Sequence, residues 1–92
     1  MAAPYRTTPV FDETTLPAAL RAEHRTKAGV WGVIRVLHGR LKLERLDDGS
    51  EAILTPDNPG LVLPEQPHRV TPLGAVRMRV EFYAAPPGPL AG

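Results

Sequence analysis

The chain has 92 residues and no cysteine, which allows one small domain and excludes disulfides and thiolate metal sites. Its 11 Lys and Arg against 10 Asp and Glu give a net charge of +1, too little for a nucleic-acid-binding surface. No stretch approaches the roughly 20 apolar residues that cross a bilayer, and residues 1–8 lack the order of a signal peptide. We therefore expect a cytoplasmic protein with no membrane or nucleic-acid partner.

The first third of the chain contains short apolar segments before any strong pattern. Residues 10–11 predict a short edge piece, and Pro17 can open a single helical turn that reaches Leu20. Residues 20–25 alternate between apolar and charged side chains, which is typical of a short strand with His24 on its apolar side.

The middle of the chain is predicted to form strands separated by turns. Residues 29–37 are rich in Val and Ile and predict a mostly buried strand, which Gly39 ends. Residues 41–44 alternate apolar and charged side chains, and residues 47–49 carry the Asp-Gly signal of a hairpin. Residues 52–54 then return as the second strand of that hairpin.

The last third repeats the pattern with shorter strands. A turn rich in proline over residues 56–60 precedes strands predicted at residues 61–63, 68–71 and 76–82. About seven short strands with regular turns indicate an all-β sandwich or small barrel. We expect one domain over residues 1–92, with a core over about 16–83 and a flexible Pro/Gly-rich tail over 84–92.

Several separated segments resemble the TehB/YeaR-like family. They are residues 24–32 (HRTKAGVWG), 36–41 (VLHGRL), 59–70 (PGLVLPEQPHRV), 72–74 (PLG) and 81–83 (EFY). The resemblance covers roughly residues 16–83 and implies a cupin-type double-stranded β-helix, a small jelly-roll barrel. It also implies a link to tellurite resistance or nitrogen-oxide stress. In the tellurite-resistance members a methyltransferase that uses S-adenosylmethionine can follow this domain, and no segment here is similar to that methyltransferase.

Two histidines are candidate metal ligands. The segment from Gly60 to His68 is similar to the second cupin motif, in which a histidine beyond a proline turn binds metal. In the region of the first motif the only imidazole is His24, and both rings share parity with apolar neighbours. We expect a divalent ion (Zn, Fe, Ni or Mn) on His24 and His68, with Glu65 as third ligand or catalytic base. The alternatives are histidines bonded to backbone or water, and a solvated Glu65.

The remaining polar residues have simpler interpretations. His38, beside the turn at Gly39, is expected to be exposed. Glu81 shares parity with Arg77 and Arg79 and is expected to lie on the surface in a weak salt bridge, while Met78, Val80 and Phe82 form the buried face.

Three functions fit these features. The first is a small cupin-fold protein that binds a divalent metal, a small anionic ligand or both, in tellurite or nitrosative stress. The second is a metal-dependent isomerase, lyase or oxygenase that acts on a small organic acid. The third is a metal-free dimeric scaffold that binds a ligand. We expect a small-molecule or oxyanion ligand and a homodimer, because small all-β domains often gain stability by pairing.

Overall fold

The alternating segments of the sequence form eight strands and one short helix in the computed structural model, which describes residues 3–90. The elements are β1 (Arg6–Thr7), β2 (Phe11–Asp12), α1 (Ala18–Arg21), β3 (Trp31–His38), β4 (Leu41–Arg45), β5 (Glu51–Leu54), β6 (Gly60–Val62), β7 (His68–Pro72) and β8 (Arg77–Tyr83). The predicted all-β class is therefore confirmed, as is the single helical turn after Pro17.

The strands form two antiparallel sheets. The larger sheet has the order β1-β8-β3-β6, and β2 also pairs with β8. The smaller sheet has the order β5-β4-β7. The long pairing of β3 with β8 aligns Ile34 with Val80 and ends at a bulge between Val36 and His38. This pair fixes which side chains of the larger sheet face the smaller one, because alternate residues of a strand point to opposite faces.

The core lies between the two sheets. Its fully buried members include Leu41, Leu43 and Leu54 from the smaller sheet and Val62 and Met78 from the larger one. The two sheets pack tightly at β6, where a Cβ on Gly60 would lie 2.8 Å from Leu54 Cδ1 and 2.9 Å from Leu43 Cδ2. Only glycine leaves room for those two leucines at this point.

The predicted strand over residues 20–25 is wrong. Residues 18–21 are helical, since Leu20 N–H donates to the Pro17 carbonyl and Ala22 N–H donates to the Ala18 carbonyl. His24 alone makes a strand-like contact, an isolated antiparallel bridge to His68. Alternation over six residues was too short to distinguish a strand from a helical turn that leads into a bridge.

The predicted closed barrel is also wrong. Within residues 3–90 no strand of one sheet pairs with a strand of the other, so the structure is a two-layered sandwich. A side chain links the two sheets at β6: Arg45 Nη2 of β4 donates to the Leu61 carbonyl of β6 at 2.8 Å.

The predicted tail over residues 84–92 contains neither strand nor helix in its described part, 84–90, and residues 91–92 lie outside the described residues. Within residues 3–90 no helix has the length and apolar character needed to cross a membrane.

Candidate functional site

A cavity of about 320 Å³ opens between the two sheets beside α1. Its volume is at the lower end of the range for small-molecule sites, about 300–1,000 Å³. The lining is mainly apolar and comes from both sheets and from α1; it includes Phe11, Leu20, Ile34, Val62, Val70, Met78, Val80 and Phe82. Five polar side chains also line it: Arg6, Thr8, His24, Thr26 and His68.

The two histidines are brought together by backbone hydrogen bonds. His24 N–H donates to the His68 carbonyl at 2.8 Å, and His68 N–H donates to the His24 carbonyl at 2.9 Å. Residues paired in this way project their side chains to the same face. The two rings stand edge to face with centroids 5.4 Å apart and an interplanar angle of 82°. The expected convergence of His24 and His68 is therefore present.

His68 has a fixed tautomer in its neutral form. The ring is only 4% exposed, and Nδ1 lies 2.9 Å from the Gln66 carbonyl oxygen. A carbonyl can only accept, so Nδ1 carries the hydrogen and Nε2 keeps its lone pair. Burial lowers the pKa of His68, the Gln66 contact partly opposes that effect, and the charges of His24 and Arg45 add to the lowering. The ring is thus neutral at neutral pH.

His24 has an unused polar atom. Its Nδ1 is buried and finds no hydrogen-bond partner among residues 3–90. A buried polar atom without a partner costs about 1–3 kcal/mol. A ligand with a polar group at this position would remove part of that penalty, so the atom marks where the polar end of a ligand gains most.

Thr26 was not singled out from the sequence, although it shares the parity of His24. Its hydroxyl donates to the Leu63 carbonyl at 3.1 Å and accepts from Glu65 N–H at 3.2 Å. Its Cγ2 would lie 3.4 Å from a Cβ on Gly32, on the opposite wall. Thr26 therefore ties the loop after β6 to the cavity and closes one side of it.

Glu65 does not line the cavity that holds the histidine pair. It has a positive φ of 59° and is exposed, and its carbonyl accepts from Arg25 Nη1 at 3.4 Å. In the part of the chain that the structure describes, the residues that line the cavity do not include it. The structure therefore brings His24 and His68 together without Glu65, whose role as catalytic base stays a prediction.

Glu81 differs from its expected place on the surface. It does lie on the face of the larger sheet opposite the cavity, but it is only 8% exposed. Its Oε1 accepts from Arg35 Nε at 3.1 Å and from the Tyr83 hydroxyl at 3.0 Å. Burial, followed by the contact with Glu81, raises the pKa of Tyr83. His38 is exposed, as expected.

Two proteins of Haemophilus influenzae are similar to most of this chain. Both are named "Probable S-adenosyl-L-methionine-dependent methyltransferase TehB". The one from strain Rd is 36% identical over 74 residues, which are 75% of this chain and 26% of the relative. The one from strain 10810 is 35% identical over 74 residues, again 75% of this chain and 26% of the relative. The chain thus spans about a quarter of the length of these relatives.

Two crystal structures have the same fold. TehB from Haemophilus influenzae superposes with a TM-score of 0.79 at 35% identity and covers 87% of this chain and 30% of that one. A protein from Escherichia coli strain K12 superposes with a TM-score of 0.83 at 22% identity and covers 92% of both chains. The second likeness, at that identity, concerns the fold alone.

These findings overturn the expected metal-binding cupin function and its divalent cofactor. The relatives are named for S-adenosylmethionine, not for a metal. Within residues 3–90 no group of three or more His, Asp or Glu could hold a metal ion. Protein metal sites generally use three or four ligands, and only His24 and His68 of the expected set approach one another. The expected divalent cofactor (Zn, Fe, Ni or Mn) is therefore wrong, whereas a functional role for His24, Glu65 and His68 stays a prediction.

The family resemblance, by contrast, is confirmed. The profile of the TehB-like domain matches residues 6–80, which run from β1 into β8 and include both histidines and most of the cavity. The matched segment holds the two longest motifs, residues 24–32 and 59–70. The chain belongs to the TehB-like domain family.

Proposed function

We propose that this chain is a small-molecule-binding domain that works with an S-adenosylmethionine-dependent methyltransferase unit, on the same polypeptide or on a partner. The observation that carries the proposal is the apolar cavity between the sheets, which has one polar end at His24 and His68. The names of the similar TehB proteins support the link to methyl transfer. In this proposal the domain binds and orients a ligand, and the methyl donor supplies the chemistry at another site.

The cavity does not suit S-adenosylmethionine itself. That molecule carries a sulfonium and an ammonium group, and its ribose hydroxyls are typically bound by an Asp or Glu in nucleotide sites. Among the described residues that line the cavity there is no Asp or Glu to bind the ribose or the cationic groups, and Arg6 is cationic. The guanidinium of Arg6 would repel the cationic end of the donor.

The apolar lining is sufficient to hold a ring-sized ligand. A benzene-sized group buries about 150 Å² of apolar surface, worth about 4 kcal/mol at ~25 cal/mol per Å². That gain must also offset the freedom that the ligand loses on binding, so the apolar contacts alone give a dissociation constant no tighter than about 1 mM. Hydrogen bonds at the polar end would tighten binding further.

We further infer that the two sheets follow jelly-roll connectivity. From β3 onward the strands belong to the larger, smaller, smaller, larger, smaller and larger sheet in turn. The bridge between His24 and His68 adds the His24 segment to the smaller sheet beside β7. The order of that sheet is then His24 segment, β7, β4, β5. In the larger sheet β1 and β2 both pair with β8, so each sheet is four strands wide, and two antiparallel sheets of this width with these crossings are typical of a jelly roll. The open space between them is then the natural ligand site of the fold.

Two substitutions of alanine by phenylalanine, one at the cavity mouth and one outside the cavity, test ligand binding. Ala19 lines the mouth and is exposed, so Ala19→Phe can block entry without overpacking the core. Ala22 is also exposed and follows α1, so Ala22→Phe is the control. In a titration with toluene, followed by methyl NMR, we expect millimolar binding to the unmodified protein and to Ala22→Phe, with at least a fivefold loss in Ala19→Phe.

The same titration locates the site. Methyl signals of Ile34, Val62 and Val80 should move, because these residues line the cavity, whereas Val33 on the opposite face should not. Equal affinities for the two variants, or no shifts at the solubility limit of toluene, would exclude the cavity as a binding site.

A further inference from the structure

We propose that the polar end of the cavity is a hydrogen-bond acceptor, so that the domain selects an apolar ligand with a neutral hydroxyl, such as a phenol, over a hydrocarbon or an ionised carboxylate. This inference rests on the proposed function, since it names the ligand class of the same cavity. Its basis is the hydrogen bonding of the His68 ring, and the Nδ1 of His24, which finds no partner among the described residues, is a second polar atom at the same end of the cavity.

The acceptor is Nε2 of His68, and its position is rigidly held. The Nδ1–H group of His68 donates to the Gln66 carbonyl at 2.9 Å, so the lone pair of the ring is on Nε2. Gln66 is itself fixed: its Oε1 accepts from Leu63 N–H at 3.0 Å, and its Nε2 donates to the Asp47 carboxylate at 3.2 Å. The chain of contacts from Asp47 through Gln66 therefore sets the tautomer and orientation of the His68 ring.

The neighbouring hydroxyl groups do not offer a donor to a ligand. The Thr26 hydroxyl donates to the Leu63 carbonyl at 3.1 Å. The Thr8 hydroxyl donates to the Pro9 carbonyl at 2.9 Å and accepts from Val80 N–H at 2.9 Å. Because both hydroxyl protons are used by the backbone, neither threonine of the cavity lining has a proton left to donate to His68 Nε2 or to a ligand. A ligand can provide one.

Three kinds of ligand are then distinguished by their polar atom. A phenol is neutral at pH 7, as the side chain of Tyr is, and donates its proton to Nε2. A hydrocarbon of the same shape leaves Nε2 in an apolar cavity without a donor. A carboxylate has no proton to give and must also lose its hydration. Arg6 is the cation of the lining, but it is exposed, with its guanidinium carbon 5.8 Å from the centre of the Phe82 ring.

Toluene, phenol and benzoate test this order, because they share a ring and differ in one substituent. We expect phenol to bind about fivefold more tightly than toluene, the factor of a typical net hydrogen bond, and benzoate to bind most weakly. The measurement is the dissociation constant of each probe from methyl NMR titration of the unmodified protein at pH 7.

The possible outcomes bear separately on the acceptor inference and on the proposed ligand-binding function. Equal affinities for phenol and toluene would overturn the acceptor inference and leave the ligand-binding function standing. Benzoate binding more tightly than phenol would also overturn it, in favour of an anion site built on Arg6. If none of the three probes binds, the proposed function fails together with the inference.

Substitutions at position 68 assign the acceptor to one ring. His68→Asn keeps an N–H group in place to donate to the Gln66 carbonyl but removes the atom at Nε2. We expect it to bind phenol and toluene equally, with toluene affinity within twofold of the unmodified protein. His68→Gln, whose amide reaches the position of Nε2, should restore part of the preference, and His38→Asn on the exposed histidine should leave it unchanged. Retention of the fivefold preference in His68→Asn would overturn the assignment to His68.

Discussion

Glu81 carries a buried carboxylate on the outer face of the larger sheet, where it accepts hydrogen bonds from Arg35 and Tyr83. The Arg35 side chain is 25% exposed and that of Glu81 11%, so water screens this pair less than it screens an ordinary surface pair. We expect Glu81→Gln to lower the free energy of unfolding by about 1–3 kcal/mol, because the neutral amide leaves the Arg35 charge partly buried with a weaker acceptor.

Chemical denaturation measures this loss, and Glu51 provides the control. Glu51 makes a salt bridge with Lys42 at 3.5 Å, but its side chain is 55% exposed. Glu51→Gln should therefore change the free energy of unfolding by less than about 0.5 kcal/mol. Losses of equal size in the two variants would mean that the Glu81 cluster contributes no more than a surface ion pair.

His68 links stability to pH. Burial lowers its pKa from the ordinary value of 6.5, so the unfolded chain binds a proton at a higher pH than the folded chain does. The free energy of unfolding is therefore unaffected by His68 titration above about pH 6.5. Below that value the unfolded chain takes up the proton first, so the free energy of unfolding falls progressively. The nearby charges of His24 and Arg45 act in the same direction, since both repel the imidazolium.

Unfolding free energies at about pH 7.5 and about pH 5 test this dependence. We expect the unmodified protein to lose stability between these values and His68→Asn to lose less, because it removes the titrating ring. His38→Asn should retain the full dependence, since His38 is exposed. A His68→Asn protein with the same pH dependence as the unmodified one would show that another group controls it.

Among the strands, β6 depends on a glycine where it packs tightly against the smaller sheet. Gly60→Ala places a methyl group 2.8 Å from Leu54 Cδ1 and 2.9 Å from Leu43 Cδ2, within the packed core. We expect a loss of about 1–3 kcal/mol in the free energy of unfolding. Gly32→Ala is the matched control, since its methyl group would lie 3.4 Å from Thr26 Cγ2, an ordinary contact. Equal losses would contradict the close approach at β6.

Most elements could be predicted from the sequence because their signals are local. The alternation of Met78, Val80 and Phe82 defines β8, and the Asp48-Gly49 pair marks the turn between β4 and β5. The face of Glu81 also followed from alternation. Its burial did not, because it depends on Arg35 from β3, which the register of β3 with β8 brings beside it.

The candidate site was predicted only in part for the same reason. The parity of His24 and His68 placed both rings on the inner face, and the bridge between them confirms their proximity. Glu65, three residues before His68, lies in a loop with a positive φ at that residue and does not line the cavity. Two convergent histidines were therefore mistaken for part of a metal site. The expected homodimer stays a prediction.

For the molecule as a whole, we propose that the space between the two sheets is a ligand site and not a void left by imperfect packing of the core. Its walls come from both sheets and from α1, so no single element could have indicated it. The larger sheet, the smaller sheet and α1 each contribute apolar side chains to the cavity. The His24 segment and β7 supply the two histidines at its polar end. An apolar cavity of this kind binds small apolar molecules when it is open to solvent.

The most direct measurement is a crystal structure of the full chain with bromobenzene, whose bromine is located by anomalous scattering. We expect the strongest bromine peak between the sheets, in contact with Ile34, Val62 or Val80, and the same peak in a crystal of Ala22→Phe. In Ala19→Phe the peak should be weaker or absent. Bromine found only on the outer surface of the unmodified protein, with core side chains filling the space between the sheets, would contradict a ligand site between them.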